Sequence, residues 1–129
     1  MNRLRKTMAT LLVALCIIGC SSVALASRVT FTSKRIYGGA SQSVATLARE
    51  RSINIEQRVD YVNWNGQSDW KFRGYNGGEA CTELKTIPST GVGNWLADFT
   101  KYPSAVTVRE SIRSSSPSDY LIFSGILYV

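Results

Sequence analysis

Apolar and polar side chains alternate at the start of residues 28–37, where Val29 and Phe31 stand against Thr30 and Thr32, and this predicts a strand. Gly38-Gly39 ends it. Residues 41–51 place Val44, Leu47, Ala48 and Arg51 on one helical face with Ser41 or Ser43 as a cap, so a short helix is expected, with a strand as the alternative. Over residues 53–64, Ile53, Ile55, Gln57, Val59, Tyr61 and Asn63 share one parity and are mostly apolar. Asn54, Glu56, Arg58, Asp60, Val62 and Trp64 share the other and are mostly charged, the pattern of a half-buried strand. Asn65-Gly66 follows as a hairpin signal, and residues 69–75 read as the returning strand, with Trp70 and Phe72 on one face. Asn76-Gly77-Gly78 makes the next turn, and residues 80–87 form another short strand closed by Pro88.

The clearest helical stripe lies in residues 94–102, where Trp95, Leu96, Phe99 and Tyr102 fall on one side, Asn94 caps the start and Pro103 blocks continuation. Residues 106–112 predict a strand and residues 114–118 a Ser/Pro loop. Residues 120–129 are apolar on both faces, as a central strand is. The expected class is α+β: a small antiparallel-dominated sheet or barrel with one or two packed helices. The tail order of helix, strand, loop and closing strand, with Ala80-Cys81 before it, loosely resembles the small OB-fold B subunits of secreted bacterial toxins. That resemblance spans about the last 50 residues and implies an OB-like barrel that binds glycans as an oligomer.

Ahead of this domain, residues 1–7 are basic, with Arg3, Arg5 and Lys6, and residues 8–20 are almost wholly apolar. A basic start, a short apolar stretch and then small residues are the order of an export signal, and the stretch is too short to span a bilayer comfortably. Two processing sites compete. Ala24-Leu25-Ala26 is an A-x-A site before Ser27, which makes residues 1–26 the signal and residues 27–129 a single small globular domain. Ile17-Ile18-Gly19-Cys20 instead resembles a bacterial lipobox, with Cys20 lipidated and tethering the domain to a membrane. Periplasmic or secreted localisation follows from the first, and an outer-membrane lipoprotein from the second.

Composition narrows the chemistry. The formal net charge is +6 from 15 basic and 9 acidic residues; without the three basic leader residues it is 12 − 9 = +3, spread along the chain. No concentrated basic stripe exists, so no nucleic-acid partner is expected. Cys16 and Cys20 belong to the leader in either reading, which leaves Cys81 alone, without an internal disulfide and best placed as a small buried side chain. There are no histidines. That removes the usual general base, the usual metal ligand and every Ser-His or Cys-His pair. No metal site and no cofactor are expected. Arg35-Ile36-Tyr37-Gly38-Gly39 matches a trypsin-like N-terminus, but the histidine is missing. Ser68-Asp69-Trp70-Lys71 has S-x-x-K spacing, but in a strand those two side chains point to opposite faces. Gly74-Tyr75-Asn76-Gly77-Gly78 is a turn without the lysine of a phosphate loop.

The segment richest in recognition chemistry is residues 61–75, where Tyr61, Trp64, Trp70, Phe72 and Tyr75 alternate with amide and charged side chains. The candidate binding residues are Trp64, Asn65, Gln67, Asp69, Trp70 and Tyr75; the competing reading places half of these rings in the core. The expected function is a non-catalytic binding domain of the bacterial envelope or exterior. Its partner is a protein, as for an inhibitor or immunity factor, or a glycan, or the role is structural in an outer-membrane lipoprotein. Intact-mass measurement of the mature protein separates the processing routes: an N-terminus at Ser27 gives a free exported domain, and a diacyl or triacyl adduct on Cys20 gives a tethered one.

Overall fold

The computed structural model describes residues 25–65, 69–88 and 91–129, and within them the protein is all-β. Nine strands follow in chain order: β1 (Arg28–Tyr37), β2 (Gln42–Ala48), β3 (Asn54–Asn65), β4 (Trp70–Asn76), β5 (Glu79–Ala80), β6 (Lys85–Ile87), β7 (Gly93–Asp98), β8 (Ala105–Ile112) and β9 (Tyr120–Tyr128). They form two antiparallel sheets. The first has the order β1-β9-β3-β7; the second has the order β2-β8-β4-β5, with β6 also on β4. The inner faces meet in one core, to which the first sheet contributes Ile36, Ile55, Leu121, Phe123 and Leu127, and the second Leu47, Trp70, Phe72, Val106 and Val108. This is the sandwich solution to burying one face of each sheet.

The expected α+β class is therefore wrong, and so is the OB-like barrel: the helix that carried the toxin-subunit resemblance is a strand. Residues 93–98 pair with β3, from Asn54 opposite Asp98 to Val59 opposite Gly93. Ala97 and Phe99 are buried, Trp95 is half-buried against the core, and Leu96 is 42% exposed. The true period was two; an apolar Leu96 on the solvent side imitated a helical stripe. The second expected helix is β2, which pairs with β8 and buries Leu47 completely. Its helical face was weak, since Val44 and Ala48 are only half-buried, and an available partner strand outweighs local propensity.

The expected β3–β4 hairpin does not form. β3 lies between β9 and β7 in one sheet, and β4 joins β8, β5 and β6 in the other, so the chain changes sheets between Asn65 and Trp70. The tight turn lies instead at Asn76-Gly77-Gly78-Glu79, which closes β4 on β5 with positive φ at Gly77 (58°) and Gly78 (80°), the two-residue geometry matched to strand twist. The strand expected over residues 80–87 is split into β5 and β6. The strands expected at 28–37 and 106–112 are present, and β9 is central, between β1 and β3.

Two bulges face one glycine. The β1 register shifts between Phe31 and Lys34, and the β3 register shifts between Val59 and Tyr61, both beside Gly125 and Ser124 of β9. The β3 bulge reverses parity: Tyr61 turns out to solvent, 55% exposed, while Val62 and Trp64 turn in against the core. A Cβ on Gly125 would lie 1.9 Å from the Arg58 carbonyl oxygen and 3.1 Å from Val59 Cα. Neither backbone atom can yield without breaking the central ladder. Gly125→Ala is expected to destabilise the fold by about 3 kcal/mol or more, read as a lower denaturant midpoint with an unchanged slope.

Candidate binding face

The sequence-derived candidates do not lie on one surface. Trp70 is fully buried on β4; its ring centroid lies 4.7 Å from that of Phe123, and its indole N–H donates to Glu110 Oε1 at 2.7 Å. Trp64 is half-buried, edge-on to Trp70 at 6.2 Å and 85°. Tyr75 is half-buried beneath the Arg109 guanidinium, 5.8 Å from its ring centre. Asp69 is exposed, with Arg113 at 3.8 Å. Asn65 pairs through its backbone with Tyr120. Gln67 lies outside the described residues, as do Ser68 and Cys20. The structure thus sets Trp70, and much of Trp64, inside the sandwich rather than on one exposed hairpin.

The aromatic surface lies on the outer face of the first sheet, built by register. Tyr37, Tyr120 and Asn65 form one rung, Arg35, Ile122 and Asn63 the next, and Ser124 and Tyr61 a third. Leu121 and Phe123 point inward, so Tyr120, Ile122 and Ser124 point outward. Tyr37 and Tyr61 are 42% and 55% exposed. Arg35 stacks its guanidinium 4.8 Å from the centre of the Tyr120 ring, and Tyr37 lies 6.3 Å from that ring. The Tyr37 backbone is clasped by Gln42: Gln42 Nε2 donates to Tyr37 O at 2.7 Å, and Tyr37 N donates to Gln42 Oε1 at 3.3 Å. Ser33 N donates to Ser124 Oγ at 3.0 Å, which fixes the β1 bulge against the same face. The three rungs carry one guanidinium and no carboxylate. β7 pairs only as far as Val59, so it does not cover the Tyr61 end of β3.

Between the sheets lies a polar group that the sequence reading missed. Glu110 on β8 is completely buried; its Oε1 accepts from Gln57 Nε2 of β3 at 2.9 Å and from the Trp70 indole. Burial pushes its carboxyl up to about 7, against the smaller opposing effects of the Gln57 and Trp70 hydrogen bonds and the Lys34 charge. The signal was present in the chain: Glu110 shares parity with Val106, Val108 and Ile112, and Gln57 shares parity with Ile55 and Val59. Cys81 is buried and unpaired in any disulfide, and burial pushes its thiol up.

Comparison with protein-family models, with curated proteins and with solved structures finds no match to this chain. Trp70→Ala should cost about 3–5 kcal/mol of stability. Tyr61→Ala on the outer face should stay within about 0.5 kcal/mol of the wild type. Paired denaturant titrations check the contrast, and equal losses would mean that the outer face is structural.

Proposed function

We propose that this chain is an exported, non-catalytic binding domain that engages a protein partner through the outer face of its first sheet, in the manner of an inhibitor or immunity factor. The observation that carries this reading is the run of Tyr37, Tyr120 and Tyr61 with Arg35, presented on three registered strands. Tyrosine and arginine, with tryptophan, are the side chains enriched at binding hot spots: each offers a broad apolar surface with a polar end. A rigid central strand below them, and Arg35 already stacked on Tyr120, reduce the side-chain ordering that association would cost. With Arg35 and no carboxylate on these rungs, the complementary partner surface is acidic. Export rests on the basic-then-apolar leader and its two processing sites.

The test places a photo-crosslinking residue at Tyr61 and compares the wild-type face with Arg35→Glu. A crosslinked protein partner that is lost in R35E, at unchanged melting temperature, supports the proposal. Binding to a glycan array that depends on Tyr61 instead assigns the face to sugar. Crosslinks that survive R35E unaltered sink the assignment to this face.

A further inference from the structure

Among the described residues three buried side-chain polar atoms lack partners, Arg109 Nε and two acceptors between the sheets, and the two acceptors complement each other. Gln57 Oε1 and Glu110 Oε2 make no hydrogen bond, although the other halves of the same two groups, Gln57 Nε2 and Glu110 Oε1, are joined at 2.9 Å. An amide oxygen and a carboxylate oxygen both only accept, so the ionised pair leaves two acceptors facing a dry interior. A proton on Oε2 makes that atom a donor to Gln57 Oε1, and the two side chains then close a ring of two hydrogen bonds. The Trp70 N–H already goes to Oε1, the oxygen that carries no proton in this ring. We propose that Glu110 is held as the neutral acid in the folded protein, and that its proton is a clasp between the sheets that opens when the solution turns mildly alkaline.

The surroundings favour the acid. Glu110 bonds to Gln57 from β3 and to Trp70 from β4, and its neighbours in register are Phe72 on β4 and Gln42 on β2. The charged group acting on it from β1 is Lys34, half-buried, which makes no salt bridge with it among the described residues. On its own strand, Arg109 and Ser111 have the opposite parity and point to the other face of the second sheet. The Gln57 and Trp70 hydrogen bonds and the Lys34 charge favour ionisation, and desolvation outweighs the three together.

Glu110 titrates at about 7 in the folded chain and near the ordinary 4.5 once unfolded. Below pH 4.5 both states hold the proton and the clasp contributes fully. Between 4.5 and 7 only the unfolded state releases it, so unfolding becomes easier as pH rises. Across that window the unfolding equilibrium constant should grow roughly 300-fold from this group.

The direct test follows the Glu110 side-chain carboxyl carbon of the full-length chain by NMR, against Glu110→Gln and Lys34→Met. The expected results are a native-state titration near neutrality, and a higher midpoint in K34M, where the opposing charge is gone. E110Q places a fixed amide donor where the acid proton sits, so its denaturant midpoint should hardly change between pH 4.5 and 8 and should exceed the wild type at pH 8. A native titration below pH 5 would overturn the proposal. So would an E110Q chain that folds but is less stable than the wild type at pH 8, the result expected if an ionised Glu110 holds the sheets through Lys34.

Discussion

The two sheets are joined by a chain of aromatic rings, and most other features follow from it. Phe31 of β1 meets Phe123 of β9 at 5.3 Å, Phe123 meets Trp70 of β4 at 4.7 Å, and Trp70 meets Trp64 of β3 at 6.2 Å. Four strands from both sheets are thereby tied, each ring pair adding about 0.5–1.5 kcal/mol beyond its buried area. An indole buried this deeply needs an acceptor for its N–H, and Glu110 is that acceptor. A carboxyl brought into such a place needs partners of its own, and Gln57 reaches it from the opposite sheet. The polar group is thus a consequence of using tryptophan at the sandwich centre, and it lies fully buried between the sheets.

The same arrangement divides labour between the faces. Inward positions of the first sheet are filled by the core, so the rings able to meet another molecule are those on the outward parity. One edge of that sheet, β1, is guarded against pairing: it carries a bulge, with Ser33 at φ 50°, followed by a half-buried Lys34. Bulges and inward charges on edge strands prevent unwanted strand addition. An interaction through side chains on the flat face is the kind this edge leaves open.

How much of this could be read from the chain depends on the element. β1, β8 and β9 were legible because their apolar positions keep a single period or fill both faces. The helix expected at 94–102 failed because Leu96 puts an apolar side chain on the solvent side and Ala97 puts a small one inside, so period two looked like period 3.6. The parity of β3 was right up to Val59 and inverted after it, because a bulge adds one residue that no local pattern announces. Asn65-Gly66 carried a hairpin signal, yet which sheet a strand joins is decided by partners far along the chain. That same inversion is why Trp64 was expected outside and is found against the core, while Tyr61 was expected inside and is found outside. The buried Glu110 and Gln57 were visible as single polar interruptions of apolar parities, a signal easily taken for the ragged edge of a strand.

The wiring of the sandwich has a consequence for how the chain comes into being. The path changes sheets at six of its eight connections, so few strands lie beside their neighbours in sequence. β9 follows every strand of the first sheet, and both β1 and β3 must wait for it. Until residue 128 is made, the first sheet is two strips without a centre, and no segment before it can close the core. Such order makes assembly slow and dependent on long-range encounters. The second sheet has all its strands by Ile112, so the event that seals the interior is the last one, the seating of β9 between β1 and β3.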